Sequence, residues 1–219
     1  MTDRDRFLTT VRDRLAGGLP GNPLRPFAPA GDTTPEITYT VDVGDPVAAF
    51  TAAATAMGSE VVDLHEDAGL HPVLATLQHD GGVRTAIVSD DPECGPVPGL
   101  LTQLGIDRLP SGDPDAAARA DLGVTGASHG IALTGSLVVD SRRAGTRLAS
   151  LLPPTHLAIL ERANLLPTPG ALLRHLDDHV PDGLPSNLVL ITGHSRSADI
   201  ELQLTPGVHG PRRLIVALR

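Results

Sequence analysis

The run Thr192-Gly193-His194-Ser195-Arg196-Ser197-Ala198-Asp199-Ile200-Glu201 concentrates more chemistry than any other part of the chain. Gly193 lets a ligand approach the backbone closely, and Ser195 and Ser197 bring hydroxyls. Arg196 adds a fixed charge and a planar donor fork suited to carboxylate or phosphate. Asp199 and Glu201 follow as acceptors or acid/base groups. The apolar run 187–191 before the motif reads as a buried strand of a parallel sheet. The motif is therefore expected at a strand's carboxyl end, where open α/β sheets bind ligands.

Three other loops carry suitable residue types. Thr125 to Ser136 contains Gly126, Thr134, Gly135 and Ser136, glycines and hydroxyls that would cradle an anion or simply make a tight turn. Arg147, expected near a helix start, would clamp an anion or form a structural ion pair. His156, at the start of a strand, fits a hydrogen-bonded core residue as well as a ligand contact. In Pro206-Gly207-Val208-His209-Gly210-Pro211, His209 has the setting of a general acid/base and also that of a turn residue, with Gly210 beside it.

Several chemistries are excluded. All 17 residues counted as Lys+Arg are Arg, so no Schiff-base or P-loop lysine exists. The G-x-G-x-x-G fingerprint is absent, and no serine-hydrolase elbow is expected. His175 and His179 are helical neighbours without an obvious third ligand, so no metal site is expected. Cys94 is the single cysteine, too few for an internal disulfide or an iron–sulfur cluster. The net charge of −9 falls on residues 1–121, with 8 Arg against 19 acids; residues 122–219 carry 9 Arg against 7 acids. With 2% aromatics the chain offers few stacking platforms for nucleic acid. No run approaches a membrane span and no secretory signal opens the chain, so a cytoplasmic protein is expected.

The elements that must position these residues alternate helix and strand. Residues 3–16 have helical spacing, and residues 17–36 hold five Pro and four Gly, so residues 1–40 read as a helical arm and connector. Residues 41–219 read as one α/β domain. Helices are expected over 45–57, 71–79, 97–104 and 169–179. Strands are expected over 61–64, 84–89, 106–109, 122–125, 135–140, 156–160, 187–191 and 213–218. The pattern implies one mostly parallel sheet with crossover helices.

Five segments carry a family resemblance. They are 123–127, 134–139, the run from Arg147 through Pro153-Pro154-Thr155-His156 to Ile159, 191–201 and 207–211. Together they closely resemble the LUD domain and, within it, the lactate utilisation protein C family. The resemblance implies a three-layer Rossmann-like fold similar to the NagB/RpiA/CoA-transferase class. It also implies a cluster-free accessory role beside iron–sulfur lactate utilisation subunits in oxidising L-lactate to pyruvate. On that reading a small carboxylate or phosphate meets Gly126, Thr134, Gly135, Ser136, Arg147, His156, Gly193, Ser195, Arg196 and Gly210. Asp199, Glu201 and His209 would handle protons or close the pocket. Leu133 stands where the family usually has an acid, His194 where it commonly has Pro, and Ser197 where it has Thr. A stand-alone enzyme of the same fold class, or a structural assembly factor, are the alternatives.

Overall fold

The computed structural model describes residues 6, 9–10, 41–64, 69–144, 147–179, 185, 187–197, 205–206 and 210–219. The chain divides into two compact units, Met1–Thr40 and Val41–Arg219. In the first, Arg6, Thr9 and Thr10 are helical, and the Thr10 hydroxyl donates to the Arg6 carbonyl at 2.9 Å.

The second unit is an α/β fold whose main sheet is wholly parallel. Its six strands are β1 (Glu60–Asp63), β2 (Thr85–Val88), β3 (Asp107–Arg108), β4 (Leu122–Ala127), β7 (Thr155–Leu160) and β12 (Arg213–Leu218), in the order β1-β12-β7-β4-β2-β3. The central strands read as continuous apolar runs because both faces are covered. On one face pack α2 (His71–His79) and α3 (Val97–Leu104), burying Leu74, Leu77 and Leu101 on Val124, Leu157 and Ile159. Each such side chain contributes about 1.5–3 kcal/mol when fully buried. On the other face α1 (Pro46–Ala56) sets Phe50 and Ala54 against Ala158 and Val216. The short helices α4 (Pro114–Arg119) and α6 (Leu148–Leu151) cover Ile87 there.

Local chemistry sets the helix ends. Asp45 accepts from the Val47 N–H at 3.0 Å with Pro46 at the first position, and Asp113-Pro114 repeats the device for α4. Gly105, at φ +66°, ends α3 in the left-handed region. In β4, Gly123 leaves room for close packing, since a Cβ there would lie 1.8 Å from the Ala149 carbonyl oxygen.

One expectation needs correcting. Residues 136–140 and 188–191 belong to a second sheet, β8-β5-β6-β9, formed by β5 (His129–Ile131), β6 (Ser136–Asp140), β8 (Leu165–Leu166) and β9 (Leu188–Ile191). There β6 runs antiparallel to both β5 and β9. β9 is an edge strand with Leu190 exposed, so its apolar run does not report a buried parallel strand. Apolar content alone does not separate these two cases. α5 (Ser141–Ala144) follows β6, and α7 (Pro169–His179) closes the outer face with Leu172 and Leu176 on Ile131 and Val138. A third pairing, β10 (Arg196–Ser197) with β11 (Thr205–Pro206), is antiparallel.

Candidate functional site

Seven of the expected ligand contacts converge, and they do so at the amino edge of the parallel sheet. Gly135 and Gly193 have φ of +64° and +79° and lie against the last turn of α1. A Cβ on Gly135 would sit 2.2 Å from the Ala54 nitrogen, and one on Gly193 2.2 Å from the Met57 carbonyl oxygen. These glycines bring Thr134, Ser136 and Thr192 into one chain of hydroxyls, with Thr134–Ser136 and Ser136–Thr192 both at 2.7 Å. Two mutual bonds use two of the three hydroxyl protons; one proton and several lone pairs remain for a ligand. The chain opens on a cavity of about 550 Å³ walled by Ala53, Met57, Leu133 and Leu190. Ser195 is tied to the start of β12, its N–H donating to the Pro211 carbonyl at 2.9 Å, with Gly210 in contact.

Arg196 and His194 join this cluster in a way the motif does not announce. The Arg196 Nη2 donates to the Met57 carbonyl at 2.5 Å, and its Nε to His194 Nε2 at 3.3 Å. His194 Nδ1 lies 2.9 Å from the Gly58 carbonyl oxygen. The neutral Nδ1–H tautomer satisfies both His194 contacts. The guanidinium thus rests at the carboxyl end of α1, where cations offset the helix dipole, with part of its donor fork left toward solvent.

The other expected residues lie elsewhere. His156 is fully buried within the main sheet and shares a 2.8 Å hydrogen bond with the Thr125 hydroxyl. Burial pushes its pKa down to about 4, which keeps it neutral. Arg147 stands exposed at the N-terminus of α6, its carbonyl accepting from the Ser150 hydroxyl at 3.0 Å. Asp199, Glu201 and His209 lie outside the described residues. His175 meets the His129 ring edge-on at 4.5 Å. Among the described residues no group of three or more His, Cys, Asp or Glu is placed to hold a metal, and no helix is long and apolar enough to cross a membrane.

Gly126 is at the opposite, carboxyl edge, in a cluster that sequence reasoning misses. Its N–H donates to Asp91 Oδ2 at 3.0 Å, and the Ser89 hydroxyl donates to the same oxygen at 2.5 Å. Glu93 Oε1 pairs with Arg143 at 2.5 Å, while Glu93 Oε2 is buried without a partner among the described residues. A Cβ on Gly126 would come within 2.5 Å of that free oxygen, so the glycine admits the acid. Burial raises the Asp91 pKa against the hydrogen bonds from Ser89 and Gly126. Burial likewise pushes the Cys94 thiol up to about 12, leaving it no nucleophile at neutral pH. The available signal was Ser89-Asp90-Asp91-Pro92-Glu93-Cys94 directly after an apolar strand.

Gly126-Ala127-Ser128-His129-Gly130 does spell G-x-S-x-G, which corrects the expectation that no elbow pattern exists. The elbow requires a strand–turn–helix, whereas Ser128 leads from β4 into β5 and donates to the Val138 carbonyl at 3.0 Å. The spelling is present without its geometry.

Comparison with known proteins adds to this picture. A LUD domain model matches residues 114–218, which include the hydroxyl chain but neither α1 nor the acid loop. A lactate utilization protein C from Deinococcus radiodurans is 32% identical over 96% of this chain and 92% of its own length. Another, from Exiguobacterium sp., is 29% identical over 100% and 96%. One from Halalkalibacterium halodurans is 40% identical, with the match confined to 45% of this chain and 44% of the relative. A crystal structure of a DUF162 family protein from Deinococcus radiodurans superposes with a TM-score of 0.61 at 25% identity, covering 81% of this chain and 98% of that one. With this spread of matches on a shared α/β architecture, the chain belongs to the lactate utilization protein C family of LUD-domain proteins.

Proposed function

We propose that this protein is a cluster-free accessory subunit of an L-lactate oxidation system that binds a small carboxylate or phosphate at the amino-edge cavity. The observation that carries the reading is the continuous Thr134–Ser136–Thr192 hydroxyl chain, with the Arg196 guanidinium held on the adjoining last turn of α1. Hydroxyl donors and a partly committed guanidinium match a monoanion better than a neutral ligand. Family membership supports the pathway, with iron–sulfur lactate utilisation subunits as partners and the cytoplasm as location. The parallel sheet between helical layers supports a NagB/RpiA/CoA-transferase-like assignment. In this reading Asp199 and Glu201 orient Arg196 or handle protons, and His209 closes the cavity.

Thermal unfolding with L-lactate, pyruvate or inorganic phosphate tests the site. The protein is expected to gain several degrees from at least one anion, and Ser136→Ala to lose most of that gain, measured against the variant's own ligand-free midpoint. An anion response untouched by both Ser136→Ala and Arg196→Ala overturns the assignment.

One observation favours a second reading, a stand-alone enzyme. Asp91 and Glu93 are buried carboxylates at the edge where α/β enzymes place acid/base groups, and Asp91 is held above its ordinary range. Turnover of sugar phosphates or acyl thioesters by the isolated protein would support it if lost in Glu93→Gln and kept in Ser136→Ala.

A further inference from the structure

We propose that a second cavity, at the carboxyl ends of β1, β7 and β12, binds a singly charged anion with an aliphatic body. This cavity measures about 550 Å³ and is separate from the hydroxyl-lined one. The two cavities lie at opposite edges of the same sheet and share no lining residue.

The walls are aliphatic: Leu64 at the end of β1, Leu70 before α2, and Pro96 and Leu100 at and within α3. No Phe, Tyr or Trp lines it; the one ring in its wall is the His71 imidazole at the start of α2, outnumbered by four aliphatic side chains, so the cavity favours a flexible hydrocarbon over a stacked base. Two guanidiniums, Arg162 and Arg219, stand at the rim and each is about one-third exposed.

The two arginines are fixed relative to each other. The Arg162 N–H donates to the Arg219 carbonyl at 2.7 Å, and the Arg219 N–H to the Leu160 carbonyl at 3.0 Å, extending the β7–β12 ladder beyond the strands. Arg162 also pairs with Asp63, and Arg219 with Glu161 at 2.6 Å. Each carboxylate engages one side of a guanidinium that carries five donors, so both forks keep donors for a ligand. The two side-chain carboxylates nevertheless offset the charges of the two guanidiniums. A dianion would meet the repulsion of both, whereas a singly charged head needs only the donors left over.

Size completes the argument. The volume lies within the roughly 300–1,000 Å³ of pockets that enclose drug-sized ligands, and far exceeds what a three-carbon acid fills. The ligand class is a medium-chain aliphatic monoanion. Its head, carboxylate or phosphate monoester in its singly ionised form, is for the experiment to distinguish.

Isothermal titration of the full chain at pH 6 with octanoate, octyl phosphate and neutral octanamide tests this. Octanoate or octyl phosphate is expected to bind at least tenfold more tightly than octanamide, and the tighter of the two names the head group. Arg162→Gln/Arg219→Gln is expected to weaken that binding at least tenfold. Amide chemical shifts of the wild-type protein give an answer even if the double variant fails to fold. Perturbations centred on Leu64, His71, Arg162 and Arg219 support the proposal. Equal affinity for octanamide, no heat from any probe at millimolar concentration, or perturbations centred on Thr134, Ser136 and Thr192 overturn it.

Discussion

The amino and carboxyl edges of the parallel sheet are built on opposite principles. At the amino edge, glycines at positive φ press loops against the last turn of α1, and the candidate site is a chain of hydroxyls beside Arg196. At the carboxyl edge, carboxylates are drawn inward beside Gly126 and arginines gather around an aliphatic cavity. Among the described residues, most of the family motifs lie at the first edge, with Gly126 an exception at the second, which follows the general habit of α/β folds. Motif density and generic ligand geometry therefore point to different ends of one sheet.

Backbone substitution should break the contrast most sharply. Gly193→Ala places a Cβ 2.2 Å from the Met57 carbonyl oxygen at a φ of +79°. Left-handed strain and overpacking together should cost about 3 kcal/mol or more in urea unfolding. Gly126→Ala carries no left-handed strain; it meets the movable Glu93 carboxylate at 2.5 Å and Asp91 Cβ, which shifts only with its backbone, at 2.7 Å. A cost of about 1–2 kcal/mol is expected there. Equal losses would mean that the carboxyl edge is as rigid as the amino edge.

Next in size is the buried pair. Arg143→Ala strands the Glu93 carboxylate, which is 7% exposed and already has one unpartnered oxygen. A loss of about 3 kcal/mol is expected. Adding Glu93→Gln should recover at least half of it, because the stranded charge is then gone. Failure to recover would show that Arg143 stabilises through packing of its stem.

Much of this contrast was legible in the sequence, though unevenly. Apolar runs marked β4, β7 and β12, and the Asp-Pro pair marked the start of α1, because buried parallel strands and proline-capped helices leave local signals. Sheet membership left none: β6 and β9 carry the same apolar residues as a parallel strand, and only pairing tells them apart. β5 and β8 span three and two residues, too short for any period. Within the site, Thr134, Ser136 and Gly193 stood out by type. The capping role of Arg196 did not, because its partner Met57 is 139 residues away. Arg162 and Arg219 look like ordinary surface charges until β7 and β12 are paired.

Acid should act with opposite sign on His156 inside the sheet and on Asp91 at its carboxyl edge. His156, in the second position of β7, is held at about 4 against an ordinary 6.5. The unfolded chain takes up the proton first, so stability is intact above pH 6.5 and falls by about 3 kcal/mol as pH drops toward 4. Asp91 is raised, so its ionisation opposes folding at neutral pH and protonation relieves it as pH falls. Urea midpoints between pH 7.5 and 4.5 should therefore drop less steeply in His156→Gln. Asp91→Asn should be neutral or stabilising at pH 7.5, provided that the Asn oxygen keeps the Ser89 and Gly126 donors. A destabilised Asp91→Asn would mean that those donors need a charged acceptor.

The smallest stability effect should also be the most discriminating. Arg196 is exposed, and as a cap on α1 it contributes about 0.5–1 kcal/mol, an amount that salt should reduce. Arg196→Gln removes the charge while leaving a shorter donor, so unfolding should change by no more than that. If the amino-edge cavity holds an anion, the same substitution should abolish the anion-dependent gain in midpoint, a loss larger than the cap itself. If Arg196 only closes α1, the ligand-free midpoint drops slightly and the anion response survives. The two measurements on one variant separate a helix cap from a ligand clamp, because one is read without ligand and the other only with it.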